Sequence, residues 1–370
     1  RPLVTGELLK QKDLAKTLRL ISKYGKSGFY SGVVGKAIVK ENKRLKGFIT
    51  SKDLNSYNVK YRKPIEGDYK GYKVFSMSPP SSGGIHVIQI LNILERSNLR
   101  SFGANNARSI HLTASAMQAS FADRAKYLGD ADFVSVPLKG LTSKIYAKKL
   151  RNSIPINKAI KFKNRLPGDP FNYESDETTH FTIMDNLGNV VSSTQTINGW
   201  FGSGVVVPGT GVVLNNEMDD FATKKGASNL FGAIGGENNL VAPEKRPLSS
   251  MSPTIIFKKL DNKWDPYLAL GTPSGTRILT CVAQTVLNVL EYKFSLYEAV
   301  SALRYHHQWS PDHIRVEKRG FIKDALQELR QMGHSVDFKN LGCRIQAIIK
   351  EDNTLTGVSD PRGEGKSIGH

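Results

Sequence analysis

The chain of 370 residues is 39% hydrophobic and 23% charged, which is typical of a globular protein and excludes a disordered or fibrous chain. Lysine and arginine outnumber aspartate and glutamate by 52 to 33, but no zinc-finger, basic-zipper or RNA-recognition motif accompanies the net charge of +19, so we expect no nucleic-acid partner. The longest apolar runs fall far short of the roughly 18 residues that a membrane span needs, so we expect no span.

The first part of the chain predicts mainly helices. Apolar periodicity predicts a helix over residues 13–21, with Leu14, Leu18 and Ile21 on one face, and another over residues 28–42. The later elements predicted here are a helix start at 51–54, a strand at 72–77, helices at 85–94 and 107–127, and an exposed basic connector at 155–170.

From residue 178 the pattern changes to strands. Alternating residues predict a strand over 178–183 and a second one over 190–197, joined by a three-residue turn that ends in Gly188. A hairpin of this kind pairs positions whose numbers sum to 374, so Thr178 should lie opposite Thr196. Further on, strands are predicted near 254–257 and 268–270 and helices near 278–291, 296–305 and 323–332. This mixed order fits a layered α+β or α/β protein.

The hairpin places a threonine where a nucleophile could act. A threonine hydroxyl is activated when the residue begins a chain, because its own α-amine, with a pKa of roughly 7.7–8.0, serves as the base. Thr178 could act in this way only if the bond between Glu177 and Thr178 were cut. On periodicity alone, the simpler interpretation is that Thr178 and Thr179 merely begin a strand.

Three polar segments follow that suit a small zwitterionic ligand. Residues 215–221 bring three carboxylates and two amides into one loop, which could hold an ammonium group. Residues 246–253 offer paired hydroxyls for a carboxylate. Residues 271–275 form a small-residue turn that could expose two backbone N–H groups, as an oxyanion hole requires.

Taken together, these segments resemble the γ-glutamyltransferases, also called glutathione hydrolases. The residues that carry the resemblance, in chain order, are 11–15, 79–84, 127–130, 178–181, Asn198, 215–221, 246–253 and 359–362. They span nearly the whole chain in order and at compatible spacing, so the resemblance depends on many motifs rather than one.

The resemblance implies an N-terminal nucleophile hydrolase, an α+β protein built as a four-layer αββα sandwich. Such a protein is made as an inactive zymogen that cuts itself, here between Glu177 and Thr178. Residues 1–177 would be the C-terminal part of the large subunit and residues 178–370 the small subunit, both contributing to one fold. The first piece would carry a net charge of +18 and the second +1. A periplasmic or secreted location is implied, and neither a cofactor nor a metal.

The family pattern also implies the roles of individual residues. Thr178 would attack the γ-glutamyl amide of glutathione or a similar compound, and water or the amine of an amino acid or dipeptide would resolve the acyl-enzyme. The other implied site residues are Thr196 beside the nucleophile, Asn198, Glu217 and Asp220 at the α-amino group, Ser249 and Ser250 at the α-carboxylate, and the backbone of Ser274 and Gly275 as the oxyanion hole.

The sequence departs from the family pattern at several points. Ser274 stands where the family usually has glycine, which would put a glycine-only conformation in doubt. Phe231 replaces a common tyrosine in the segment that matches a lid, residues 225–236, and Ser78 replaces a proline. The family's large subunit extends before Arg1, and the arginine that pairs the substrate carboxylate belongs to that part.

Alternative interpretations remain. A related acylase or a poly-γ-glutamate capsule depolymerase would use the same fold, and an inactive binding protein would retain it without turnover.

Cys281 is interpreted as a buried thiol, with a disulfide to Cys343 left open. The adjacent His306 and His307 suggest core packing rather than a metal site. The side chains interpreted as structural ion-pair partners are Arg304 and Arg362.

Overall fold

The computed structural model describes residues 3–170, 182–318, 320–352 and 354–369. The predicted cleavage site at Glu177 and Thr178 lies outside these residues, as do strand positions 178–181. The chain divides into two compact units, one formed by Arg1–Tyr61 and Gln195–Glu217 and the other by Arg62–Thr194 and Met218–His370. Each unit therefore contains residues from both sides of the predicted cut.

The helices and strands are numbered in chain order. The helices are α1 Lys12–Tyr24, α2 Lys26–Tyr30, α3 Gly32–Arg44, α4 Ser51–Ser56, α5 Gly83–Leu94, α6 Leu99–Phe102, α7 Ala107–Tyr127, α8 Leu138–Thr142, α9 Lys144–Asn152, α10 Arg277–Leu290, α11 Leu296–Ser301 and α12 Lys323–Gln331. The strands are β1 Ile65–Tyr69, β2 Tyr72–Ser76, β3 Ile183–Met184, β4 Val190–Val191, β5 Val206–Val207, β6 Val212–Val213, β7 Thr254–Leu260, β8 Lys263–Gly271, β9 Tyr305–His306, β10 Ile314–Val316, β11 Val336–Phe338, β12 Gln346–Glu351 and β13 Thr354–Ser359. Short 3₁₀ helices occupy Phe162–Asn164, Glu217–Asp220 and Glu237–Asn239.

The first unit has a small core in which α3 packs against β5 through Val34, Ile38 and Val207. The predicted face of α1 is wrong in part, because Leu18 is 56% exposed. Thr17 is buried instead, and its hydroxyl donates to the carbonyl of Thr210 at 2.8 Å. The helix predicted over 28–42 is also wrong as one element, since extended backbone at the residue between α2 and α3 divides it.

The second unit is built on an antiparallel sheet with strand order β1-β2-β7-β8-β12-β13. The fully buried helix α5 contacts this sheet, and α7 and α10 pack against α5 to complete a helical layer. The predicted bounds of α7 are confirmed at both ends, and those of α5 within two residues. Helices and antiparallel strands thus form separate layers, which confirms the α+β prediction.

The predicted hairpin register is confirmed where the structure describes it. Ile183 pairs with Val191 and Met184 with Val190, so both pairs sum to 374, and the turn residue Gly188 has a φ of 85°. The second strand is shorter than predicted, because β4 ends at Val191. At the next position the hydroxyls of Thr182 and Ser192 contact each other, and these residue numbers also sum to 374.

A predicted helix near the C-terminal part ends early. Helix α11 stops at Ser301, and residues up to 305 do not continue it, because β9 pairs with β10 there. Arg304 is buried and forms an ion pair with Asp360 at 2.6 Å, and Arg362 contacts Glu317 at 2.8 Å. Both arginines were predicted as ion-pair partners, and this is confirmed.

Two predictions about buried side chains have different outcomes. His306 lies in the core, where its ring nitrogens contact the hydroxyl of Thr280 at 2.9 Å and the amide oxygen of Gln308 at 2.8 Å, so the packing interpretation is confirmed. Cys281 is buried but is not a thiol, because it forms a disulfide with Cys343. The separation of 62 positions gave no sequence signal for this pairing.

Among the described helices, none is both long and apolar enough to cross a bilayer.

Candidate active site

The paired serines are held by the turn that leads into α5. The backbone N–H of Ser249 donates to the carbonyl of Pro80 at 2.7 Å, and the N–H of Ser82 donates to the carbonyl of Ser249 at 2.9 Å. The hydroxyl of Ser81 donates to the carbonyl of Met251 at 2.7 Å. Two segments that the sequence singled out separately, 79–84 and 246–253, therefore form one structure that fixes the positions of the serines.

A buried arginine that sequence reasoning missed lies beneath these serines. The guanidinium of Arg124, in α7, donates to the hydroxyls of Ser82 at 3.0 Å and Ser250 at 3.2 Å and to the carbonyl of Leu248 at 3.5 Å. Because Ser250 accepts a hydrogen bond from Arg124, its own proton is left to donate to a ligand. The only signal in the sequence was a basic residue next to Asp123 inside a long predicted helix.

Burial and charge set the ionisation of this arginine and of a nearby acid. Burial lowers the pKa of Arg124 to about 10, an effect that the charge of Asp220 opposes, so the guanidinium remains protonated at neutral pH. Burial raises the pKa of Asp220 to about 6, although Arg124 and a 2.7 Å hydrogen bond from the Asn229 amide lower it. Asp220 is therefore anionic at neutral pH and suited to contact an ammonium group.

The lid segment, residues 225–236, contacts Asp219, Asp220 and the predicted oxyanion turn. The amide of Asn229 reaches Asp220, and the N–H of Leu230 donates to the carboxylate of Asp219 at 2.8 Å. The ring of Phe231 lies against the α-carbon of Gly275 so closely that a Cβ there would clash with it. Phe231 thus provides an apolar wall beside the turn.

The predicted oxyanion turn directly precedes α10. Ser274 and Gly275 have φ values of 124° and 55°, so the serine does occupy a conformation that favours glycine. Within the described residues, neither the Ser274 N–H nor the Gly275 N–H donates a backbone hydrogen bond. Both donors lie at the positive end of a helix of 14 residues, where backbone amides stabilise a developing negative charge.

The remaining predicted residues belong to the first unit. Thr196 is exposed, and its hydroxyl accepts a hydrogen bond from the N–H of Asn198 at 2.7 Å. Asn198 has a φ of 68°, and its amide donates to the carbonyl of Asn216 at 3.2 Å. Glu217 is half-buried, and its N–H donates to the side chain of Asn215 at 2.9 Å. A local network of amides therefore orients this group.

The structure thus places the predicted site residues in two sets. The second unit holds Asp220, Phe231, Ser249, Ser250, Ser274 and Gly275, and the first holds Thr196, Asn198 and Glu217. Glu177 and the predicted nucleophile Thr178 lie outside the described residues. In the part of the chain that is described, no group of three or more histidine, cysteine or acidic side chains is arranged to hold a metal ion.

Known proteins match this chain over nearly its whole length. A family model described as gamma-glutamyltranspeptidase matches residues 1–370. The glutathione hydrolase proenzyme of Escherichia coli K12 is 46% identical over 362 residues, which cover 98% of this chain and 62% of that protein. The acylase ACY 1 proenzyme of Pseudomonas sp. SE83 is 36% identical over 370 residues, covering 100% of this chain and 62% of that protein.

A solved structure shares the fold. The cephalosporin acylase of Bacillus halodurans superposes with a TM-score of 0.82 at 26% identity, covering 99% of this chain and 64% of that chain. The present chain therefore spans less than two thirds of the length of each of these three proteins.

Proposed function

Since this chain belongs to the gamma-glutamyltranspeptidase family, we propose that it acts as a γ-glutamyltransferase and glutathione hydrolase. Its fold is that of the N-terminal nucleophile hydrolases, the α+β class expected from the sequence. The proposed substrates are glutathione and other γ-glutamyl compounds, with water, amino acids or dipeptides as acceptors.

The proposed reaction begins with self-cleavage between Glu177 and Thr178. Thr178 then carries a free α-amine, which takes the proton of the hydroxyl as the oxygen attacks the γ-carbonyl carbon. The amide bond breaks, the leaving amine takes up a proton, and a γ-glutamyl ester of Thr178 remains. Water or an acceptor amine attacks this ester and restores the hydroxyl. Residues 1–177 and 178–370 would remain associated as parts of the large and small subunits.

The observation that carries the proposal is the arrangement around Arg124. A γ-glutamyl group has an ammonium and a carboxylate on one carbon, so its site needs an acid and hydrogen-bond donors close together. Asp220 supplies the acid, and Ser250 has its hydroxyl oriented by Arg124 so that its proton is left for a carboxylate. We propose that Ser249 assists Ser250, and that the N–H groups of the 274–275 turn stabilise the oxyanion.

The family pattern also suggests roles for three residues of the first unit and for the lid. Thr196 would hydrogen-bond the nucleophile, as the hairpin register suggests, and Asn198 and Glu217 would contact the α-amino group. The lid residue Phe231 would provide an apolar wall beside the oxyanion turn. We infer these roles residue by residue from the family pattern.

The self-cleavage step has a direct test. Mass spectrometry of the purified protein should show a break immediately before Thr178, and Thr178→Ala should remain uncut and inactive toward a γ-glutamyl anilide. Thr179→Ala is the matched control and should still be cut, because it leaves the nucleophile in place. Turnover by Thr178→Ala at the wild-type rate would overturn the mechanism.

A related acylase is the second candidate, favoured by the similarity to the acylase ACY 1 proenzyme and to the cephalosporin acylase structure. The acid at Asp220 favours a substrate with an α-amino group instead. Comparing rates on glutathione, a cephalosporin side-chain amide and poly-γ-glutamate would separate these possibilities. Preference for either of the last two would replace the first proposal.

We also propose a periplasmic or secreted location. The disulfide between Cys281 and Cys343 supports it, because disulfides persist in oxidising compartments and are rare in the cytosol. Fractionating cells and detecting the protein with an antibody would test the location directly, and recovery in the cytosolic fraction alone would overturn this proposal.

A further inference from the structure

The oxyanion turn contains a conformation that its residue does not favour. The φ of Ser274 is 124°, a region that residues with a side chain rarely adopt, and such a residue persists only where its surroundings hold it. Glycine would adopt this backbone without strain. Something in the structure must therefore keep Ser274 in place.

The contacts that hold Ser274 come from a segment far along the chain. Its hydroxyl donates to the carbonyl of Leu341 at 2.6 Å and accepts from the guanidinium of Arg277 at 3.1 Å. The N–H of Arg344 donates to the hydroxyl of Thr272 at 2.7 Å, on the other side of the turn. Residues 341–344 thus contact the turn at both ends.

Residues 341–344 approach the oxyanion turn closely. A Cβ on Gly342, whose φ is 72°, would lie 2.9 Å from the hydroxyl oxygen of Ser274. A side chain at this position would crowd the hydroxyl that donates its hydrogen bond to Leu341. The fit between the two segments therefore depends on where residues 341–344 are held.

The disulfide holds them. Cys343 lies within the segment, and its partner Cys281 lies in α10, one helical turn after Arg277. Both cysteines are buried, with 2% and 0% of their surfaces exposed. The chain thus forms a closed ring that runs from the turn through the start of α10, across the disulfide and back to Ser274.

We infer that the Cys281–Cys343 disulfide is a positioning element for the oxyanion turn. It keeps residues 341–344 where the Leu341 carbonyl can restrain Ser274, and so keeps the N–H groups of residues 274 and 275 directed at the reacting carbonyl. The backbone conformation of Ser274 would then depend on the disulfide, whereas a glycine at position 274 would adopt the same conformation without it. This inference rests on the proposed function for the role of the turn, but not for the contacts themselves.

The dependence can be tested with four proteins: the wild type, Cys281→Ser/Cys343→Ser, Ser274→Gly and the combination of all three changes. The chain has no other cysteine, so thiol titration gives the state of the disulfide without ambiguity. The readouts are kcat and KM for a γ-glutamyl anilide and hydrogen–deuterium exchange of a peptide covering residues 272–278.

With Ser274 present, loss of the disulfide should lower kcat by about tenfold, change KM by less than about twofold and speed exchange in the turn. In the Ser274→Gly background, loss of the disulfide should change kcat by less than about twofold. Val286→Ala, a buried residue of α10 away from the turn, is the control for general destabilisation and should leave kcat near the wild-type value.

Equal losses of kcat in the two backgrounds, or a lower melting temperature with no change in kcat or exchange, would overturn the inference. If the double serine variant fails to fold, Ser274→Ala provides the second test, since it keeps the disulfide and removes the restraint; unchanged exchange in the turn would then refute it. If the wild type shows no γ-glutamyl turnover, the proposed function fails, but the exchange measurements still decide whether the disulfide restrains the turn.

Discussion

Replacing Asp220 by asparagine should stabilise the folded protein at neutral pH while it weakens the binding of a γ-glutamyl substrate. Burial raises the pKa of this carboxyl from 3.8 to about 6, even with Arg124 nearby. One pKa unit corresponds to about 1.4 kcal/mol, so ionisation of this carboxyl lowers the free energy of unfolding by up to about 3 kcal/mol. Because the side chain is partly exposed, we take about 2 kcal/mol as the expected loss. Asparagine keeps the shape and removes the charge.

The size of this effect depends on pH. Below the unfolded-state pKa of 3.8 the carboxyl is protonated in both states, and its stabilising contribution is fully present. That contribution is lost as the pH rises through about 6, because the folded protein must then give up a proton that it binds more tightly than the unfolded chain.

Urea unfolding at two pH values measures the difference. We expect Asp220→Asn to exceed the wild type by about 2 kcal/mol at about pH 8, and the two to converge at about pH 3.5. Asp261→Asn, in the exposed turn between β7 and β8, is the matched control and should give no gain at either pH. An equal gain at both pH values, or none at about pH 8, would refute the electrostatic explanation. The KM for a γ-glutamyl substrate should rise by about tenfold or more, since the ammonium loses its counter-charge.

Two further substitutions test the geometry of the second unit. Arg124→Met should raise the pKa of Asp220, because Arg124 lowers it, and so move the acid limb of the kcat/KM profile to higher pH, while Arg124→Lys should keep more of the wild-type profile; an unmoved limb would mean that Arg124 does not act on Asp220. Gly275→Ala should lower kcat by about a hundredfold, because the residue has a φ of 55° and a Cβ would meet the ring of Phe231; partial recovery in Gly275→Ala/Phe231→Ala would identify that clash as the cause, and no recovery would leave backbone strain as the cause.

The features that the sequence predicted well depend on neighbours along the chain. Helix α7 begins after Asn106, whose side chain accepts the N–H of Arg108 at 3.0 Å, and both of its ends lie where periodicity placed them. The position of Gly188 predicted the β3–β4 register, because a three-residue turn fixes the pairing of the residues in the two strands that it joins. Such signals are local, and local signals can be read without the fold.

The features that the sequence missed depend on contacts between distant residues. Thr17 is buried because the carbonyl of Thr210 accepts its hydroxyl proton, and periodicity alone favoured Leu18 for that face. Arg124 acquires its role from Ser82 and Ser250, and neither contact has a sequence pattern. A polar side chain in a core is satisfied by partners that only the folded chain supplies, so composition and spacing cannot reveal it.

Net charge illustrates why burial must be known before charge can be interpreted. The lysines of α1, such as Lys16 and Lys23, are exposed, and water and salt screen such charges within about 10 Å. Arg124 contributes one charge of the total of +19, yet it is buried beside Asp220 and Ser250, where screening is weak. This single guanidinium lowers the pKa of Asp220 and donates to the hydroxyl of Ser250, so it acts on both polar groups that the proposal assigns to the substrate. The excess of lysine describes the surface of the chain, whereas the selectivity of the proposed site depends on one buried cation and the groups that compensate it.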